Sequence, residues 1–129
     1  MNERLIVGAG AQGRVVLDAW RAQHPSGTFS FLDDAPDMAG REIDGCFVVG
    51  PVSRTADRPG VVVIAIGSNP RRLTLASSLA PCVEFGQVVH PAAVVSSSAR
   101  LGPGTVVLAG AVVNPGAHVG EHVVVNSRT

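Results

Sequence analysis

A six-residue repeat runs through the last third of the chain and constrains its fold more than any other feature. A branched aliphatic residue recurs at every sixth position, and a mostly small residue stands four positions after each one. The aliphatic series is Val89, Val95, Leu101, Val107, Val113, Val119 and Val125, and the second series is Ala93, Ala99, Thr105, Ala111, Ala117, Val123 and Thr129. Such a hexapeptide repeat is typical of a parallel β-helix, in which each hexad forms a short strand and a turn around an apolar core.

Turn-forming residues stand between the aliphatic positions. Four glycines or asparagines directly follow an aliphatic residue, and we expect them to take positive φ at the corners of the coil. They are Gly102, Asn114, Gly120 and Asn126. Pro-Gly pairs at 103–104 and 115–116 add further turn chemistry, and glycine and proline recur too often for a helix. The alternative that remains open is a β-meander with coincidental spacing.

The first half of the chain alternates strand and helix patterns. We predict strands at 4–8, 28–32, 47–49 and 60–66, and helices at 14–23 and from about 70 to 80. This βαβ alternation is typical of a small Rossmann-like α/β domain, with Trp20 in its core. The pattern changes near residues 84–88, so we divide the chain into a domain at 1–86 and the repeat at 87–129.

A glycine motif joins the first predicted strand to the first helix. Gly8–Gly13 reads G-x-G-x-x-G, and Asp33 follows 33 − 13 = 20 residues after the last glycine. In a strand-to-helix turn such glycines let backbone N–H groups approach an anion, and an acid at this distance accepts hydrogen bonds from ribose. Two other interpretations stay open: the glycines serve only tight packing, and Asp33 and Asp34 form a solvated turn. Gly67 and Ser68 follow another strand, as ligand contacts or as a plain helix cap.

Charge and hydropathy exclude several classes of function. Ten basic and ten acidic residues give a net charge of zero, which argues against a nucleic-acid binder. The longest apolar run, Val61–Ile66, has six residues, far short of the roughly 20 that span a membrane. With no signal peptide in the pattern, we expect a cytoplasmic protein. Cys46 and Cys82 stand 36 positions apart, and we expect both to be reduced, buried thiols.

The order of motifs resembles the sugar acetyltransferases of the NeuD/PglD/VioB type. The segments that carry the resemblance are Leu5–Asp18, Phe31–Asp34, Ile64–Asn69, Val88–Ser96 and Val112–Ser127. The resemblance implies that the repeat forms a left-handed β-helix with three hexads per turn, and that the full-length protein is a homotrimer. It also implies acetyl-CoA as donor, bound largely outside this chain, no metal, and a UDP-linked amino sugar as acceptor.

The same resemblance assigns residues to the acceptor site. The residues implied are Gly8, Gly10, Gln12, Gly13, Asp33, Asp34, Gly67 and Ser68. The family commonly has a histidine where this chain has Gln12. Asn126 matches an asparagine that the family keeps near its active site, but an asparagine cannot act as a general base. The family's catalytic histidine follows a few residues later, so we expect this chain to be a truncated, catalytically inactive piece with no catalytic residue of its own.

Three histidines have expected roles outside catalysis, and two alternative functions stay open. We expect His90 to shape the junction between the halves, and we do not expect His118 and His122 to bind metal, because no third ligand accompanies them. A non-catalytic module that binds a nucleotide sugar, and an NAD(P)-binding Rossmann protein, remain as alternative functions.

Overall fold

The computed structural model describes residues 3–126. Its first part contains β1 (Glu3–Val7), α1 (Ala11–Gln23), β2 (Phe29–Leu32), β3 (Glu42–Ile43), β4 (Cys46–Gly50), β5 (Gly60–Ile64), α2 (Asn69–Leu79) and β6 (Glu84–Phe85), with 3-10 helices at Pro36–Met38 and Val52–Asp57. Its second part contains β7 (Val88–Val89), β8 (Val94–Val95), β9 (Arg100–Leu101), β10 (Val106–Val107), β11 (Val112–Val113), β12 (His118–Val119) and β13 (Val124–Val125).

The first six strands form one sheet in the order β3-β4-β2-β1-β5-β6. β1 lies between β2 and β5 and pairs with both in parallel, and only the pair of β3 and β4 is antiparallel. The chain moves from β1 through α1 to β2, and later returns to the other side of β1 with β5. The strand order therefore reverses at β1, and this confirms the predicted α/β domain with a parallel sheet.

The two helices pack on opposite faces of this sheet. Val16 and Trp20 of α1 share a core with Ile6 of β1, whereas Ala76 and Leu79 of α2 belong to a second core. Trp20 is buried, as predicted, and its ring meets Phe29 edge-on at a centroid distance of 5.8 Å. α1 begins three residues earlier than the sequence predicts, because Gly10 acts as its N-cap directly after β1.

The hexapeptide segment forms a coil of stacked parallel strands. β7, β10 and β13 pair in register with Val89, Val107 and Val125 aligned, so residues 18 positions apart are neighbours. β8 pairs with β11 and β9 pairs with β12 at the same offset. Three hexads therefore make one turn. All seven predicted aliphatic residues belong to the apolar cluster inside the coil, which confirms the periodicity as a core pattern.

The predicted turn positions were wrong by two residues. Positive φ occurs at Gly104, Gly110, Gly116 and His122, three positions after four of the aliphatic residues rather than one. Gly102 is conventional in φ but faces the next coil, where an added Cβ would overlap the backbone of Gly120. Each strand of the coil is only two residues long and ends at the aliphatic residue. The residue directly after it keeps an ordinary φ, and the left-handed conformation comes two residues later in the turn than we predicted.

The outward positions of the coil differ from face to face. Val88 and Val106 are buried against α1 in the main core, where the coil meets the α/β sheet. Val94 and Val112 stack on the second face and are 64% and 51% exposed. The third face stacks Arg100 on His118, and both are exposed. One face is thus packed, one is apolar and open, and one is polar.

The structure also describes the cysteines, His90 and the apolar character of the helices. Cys46 is buried and free as expected, but Cys82 is exposed, because it follows the end of α2 in a surface turn. His90 follows β7, and its Nδ1 accepts the N–H of Ala92 at 2.9 Å within the same turn of the coil, so its role in shaping the junction stays a prediction. No helix within residues 3–126 has both the length and the apolar character needed to cross a membrane.

Candidate functional site

A cleft of about 830 Å³ opens at the carboxyl ends of β1, β2 and β5. This is the edge where open α/β sheets hold their ligands, and the strand order reverses at this point. The β1–α1 turn, the residues after β2 and the residues after β5 form its floor, and α2 forms one wall. Six of the eight binding residues implied by the sequence line it: Gly8, Gly10, Gln12, Asp33, Asp34 and Gly67.

Two glycines of the motif are required by the fold itself. A Cβ on Gly13 would overlap the carbonyl oxygen of Gly8, so Gly13 lets α1 approach β1 closely. Gly13 is buried behind the turn and outside the described lining of the cleft, so its contribution to packing is clear and its contact with a ligand stays a prediction. Gly8 has φ of +108°, and a Cβ there would lie 2.6 Å from the carbonyl oxygen of Ala65.

The other two glycines of the cleft have no such role. A Cβ on Gly10 or Gly67 would meet no protein atom within 4 Å, and neither has a positive φ. Both line the cleft, one at the start of α1 and the other just before α2. The protein's own packing therefore does not require the absence of a side chain at either position, and both leave the backbone of the cleft open to a ligand.

Asp33 and Asp34 hold the loops around the cleft. The two carboxylate oxygens of Asp33 accept the N–H groups of Ala9 and Ala35, each at 2.8 Å. Asp34 accepts the N–H of Val52 at 2.9 Å. Asp33 is half-buried and Asp34 is exposed, so each carboxylate orders the turn and the solvated-turn interpretation stays open for Asp34. Asp33 joins the glycine turn to the end of β2, and it also lines the cleft.

Ser68 caps α2. Its Oγ accepts the N–H of Arg71 at 3.4 Å, and the described lining of the cleft does not include it. This supports the plain-cap interpretation that the sequence left open, with Pro70 in the first helical turn as expected.

One wall of the cleft was missed from the sequence. Arg71, Thr74, Leu75 and Ser78 occupy one face of α2 at spacings of three, four and seven residues, and all line the cleft. Arg71 is the only basic residue among the described lining residues, and its guanidinium has no hydrogen bond or ion pair with any residue in 3–126. The helix predicted from Pro70 onward would place these four residues on one face. Because most of them are polar, however, the sequence alone gives no reason to distinguish that face from an ordinary solvated helix surface.

The two histidines at the end of the coil are placed differently. His118 is exposed, whereas His122 is 7% exposed and its ring meets Phe85 edge-on at 4.5 Å. Burial lowers the pKa of His122, against an opposing effect of Glu121, and Arg72 lowers it further. Asn126 is exposed after β13 and is not part of the described cleft lining. Within residues 3–126, no group of three His, Cys, Asp or Glu side chains is arranged to hold a metal ion.

The sequence has a curated relative that it matches over most of its length. UDP-N-acetylbacillosamine N-acetyltransferase of Bacillus subtilis (strain 168) is 33% identical over 117 residues, which is 84% of this chain and 52% of the relative. The chain therefore spans about half the length of that protein.

Two solved structures are similar to the fold over nearly the whole chain. The acetyltransferase domain of PglB from Neisseria gonorrhoeae FA1090 has a TM-score of 0.87 at 30% identity, covering 98% of this chain and 62% of that one. PerB from Caulobacter crescentus, in complex with CoA and GDP-perosamine, has a TM-score of 0.83 at 28% identity, covering 98% of this chain and 61% of that one.

Residues 5–79, more than half of the chain, match the family described as the PglD N-terminal domain. This confirms the resemblance to PglD proteins, and the chain belongs to the PglD N-terminal domain family.

Proposed function

We propose that this chain is the acceptor-binding part of an acetyl-CoA-dependent N-acetyltransferase that acts on a nucleotide-linked amino sugar. The observation that carries the proposal is the pair Gly10 and Gly67, which line one cleft and leave its backbone uncovered without any packing need. The curated relative is named for a UDP-linked sugar, and PerB was solved with a GDP-linked one. We assign this chain to the UDP-linked class, after the relative with the higher identity.

The cleft is suited to binding rather than to proton transfer. Acetyl transfer forms a bond from the amine nitrogen to the thioester carbon, breaks the bond to the CoA sulfur, and needs a base for the amine proton. No described lining residue is a histidine, lysine or cysteine, and the Asp33 and Asp34 carboxylates already accept backbone N–H groups. We therefore propose that the 129 residues bind the acceptor without transferring an acetyl group, and we assign no residue within 3–126 to acetyl-CoA.

The coil belongs to the same proposal as the start of a left-handed β-helix. Its 18-residue register fits three hexads per turn, and the boundary between residues 86 and 87 separates the binding domain from the repeat. The exposed Val94 and Val112 offer an apolar face for the homotrimer that the resemblance implies. Sedimentation of the chain with and without Val94→Glu tests this role: loss of a trimer supports it, and a monomeric unsubstituted chain contradicts it for these 129 residues.

Isothermal titration with UDP, GDP, NAD and acetyl-CoA tests the binding function. We expect UDP to bind, GDP to bind more weakly, and acetyl-CoA not to bind. The matched variant is Gly10→Ala, which the chain itself accommodates because nothing lies within 4 Å of the added Cβ. Because Gly10 is the N-cap of α1, where alanine is less favourable than glycine, the unfolding midpoint should fall by a few degrees at most, whereas most of the UDP affinity should be lost. Binding of NAD alone would overturn the proposal in favour of a dinucleotide-binding protein, and unchanged UDP affinity in Gly10→Ala would remove its main support.

A further inference from the structure

We propose that Arg71 holds the diphosphate of the nucleotide sugar, an inference that rests on the proposed function. Arg71 lies in the first turn of α2, on the helix face that lines the cleft. Thr74 and Ser78 continue that face with hydroxyl groups, and both are exposed. The wall therefore presents one positive charge and two neutral donors, a set that suits phosphate oxygens.

Most other arginines of the described residues have protein partners that Arg71 lacks, and Arg100, which also lacks one, lies on the coil and outside the cleft. Arg14 pairs with Asp44 at 3.2 Å, and Arg58 pairs with Glu3 at 2.8 Å. Arg72, the next residue, is buried and donates to two backbone carbonyls. Within residues 3–126 the guanidinium of Arg71 has no protein acceptor, although it lies in the same cleft as two carboxylates. Those carboxylates, Asp33 and Asp34, are held by backbone N–H groups instead.

Within residues 3–126 no carboxylate contacts the Arg71 guanidinium, and its place in the helix is electrostatically unfavourable. A positive side chain in the first turn of a helix faces the positive end of the helix dipole, and neither α1 nor α2 has an acid in its first turn. The Gly10 cap of α1, which lines the same cleft, supplies no side-chain acceptor either. An anion bound along α2 removes the conflict at Arg71. Repulsion from Asp33 and Asp34 keeps that anion on the α2 side, while the neutral nucleoside can approach the carboxylates.

The test separates phosphate binding from nucleoside binding. UDP, GDP and uridine are titrated into the unsubstituted chain, Arg71→Gln and Arg71→Lys, with Arg100→Gln as control. Arg100 is also exposed and has no protein acceptor within residues 3–126, but it lies on the coil. We expect Arg71→Gln to lower the affinity for the nucleoside diphosphate that binds, UDP or GDP, by about 10- to 100-fold. Uridine affinity should stay unchanged. Arg71→Lys should recover part of the lost affinity, because a lysine ammonium keeps the positive charge but lacks the planar guanidinium that can donate two parallel hydrogen bonds.

Salt dependence gives a second readout that a structural role would not move. UDP affinity of the unsubstituted chain should fall as sodium chloride is raised, and this fall should be smaller in Arg71→Gln. Equal losses for UDP and uridine, or no loss for either diphosphate, would overturn the assignment of Arg71 while leaving the binding function standing. A chain that binds neither UDP nor GDP would overturn both, and the unsubstituted protein alone shows this.

Discussion

Arg72 Nε donates a 2.8 Å hydrogen bond to the backbone carbonyl of His122, across 50 residues of sequence. The same guanidinium donates from Nη1 to the carbonyl of Ile66 at 2.8 Å and from Nη2 to the side chain of Asn69. Ile66 lines the cleft, so one buried side chain joins the cleft floor, the start of α2 and the last described turn of the coil. These bonds tie the last described turn of the coil to the floor of the cleft.

Arg72→Met should destabilise the protein by about 2–4 kcal/mol. The substitution keeps an unbranched stem, but it leaves the buried carbonyl of His122 and the part-buried carbonyl of Ile66 without their donor. Arg71→Met is the matched control, because the neighbouring arginine is exposed and should change the free energy of unfolding by less than about 0.5 kcal/mol. Urea unfolding followed by circular dichroism measures both, and equal stabilities would show that the Arg72 contacts contribute nothing net.

Gly104 and Gly116 separate the cost of backbone strain from the cost of a clash. Both have nearly the same positive φ, +78° and +75°. A Cβ on Gly104 would overlap the His122 ring, whereas a Cβ on Gly116 would meet nothing within 4 Å. Gly116→Ala should therefore cost about 1–2 kcal/mol from strain alone. Gly104→Ala should cost more than about 3 kcal/mol, because the ring is also held against Phe85.

A double variant tests whether the His122 ring causes that difference. In Gly104→Ala with His122→Gly, the added methyl has room, so the extra cost of the alanine should fall to the Gly116→Ala value. The coupling energy from thermal or urea unfolding of the four proteins measures this. A coupling near zero would mean that the backbone, rather than the ring, resists the methyl group.

Stability should fall as the solution becomes more acidic than about pH 6.5. Burial lowers the pKa of His122, whose Nδ1 is buried and has no hydrogen-bond partner. Burial, with the charge of Arg4, also lowers the pKa of His24. The unfolded chain takes up protons near pH 6.5, where the folded chain resists them, so the free energy of unfolding rises with pH in this window. Each histidine can contribute at most about 1.4 kcal/mol per pH unit.

His122→Asn should make this pH dependence shallower between pH 7.5 and 5.5. Asparagine tolerates the positive φ of 56° found at this position, so the backbone can stay as it is. His118→Asn is the control: His118 is exposed and lies four residues before His122, so this substitution should leave the slope of stability against pH unchanged. Urea midpoints at several pH values give the slopes. The same slope in both variants would mean that His122 is not a source of the acid sensitivity.

The sequence predicted what depends on regular spacing and missed what depends on packing between distant segments. The hexad series located the core of the coil, because the side-chain period follows directly from the repeat. The partners of Asp33 could not be read from its distance to Gly13, since they are backbone N–H groups brought together by the turn. Arg71 looks like any exposed helix residue until α2 is placed beside the cleft. His122 occupies a turn position that is glycine in three preceding hexads, and only the contact with Phe85 explains its burial.

Thr105 gives the last prediction, because it has a hydroxyl at a position where most other hexads have alanine. The residue is fully buried, and its Oγ1 donates to the carbonyl of Gly120 at 2.7 Å and accepts the N–H of Val123 at 3.2 Å. Thr105→Val keeps the shape but removes both bonds between neighbouring coils, and should cost about 1–3 kcal/mol. Thr105→Ser keeps the bonds and loses one methyl group, at about 1 kcal/mol. Urea unfolding compares the free energies of unfolding of the two variants, provided that their m-values are unchanged. A valine variant as stable as the serine variant would show that the shape of Thr105, rather than its hydrogen bonds, stabilises this corner of the coil.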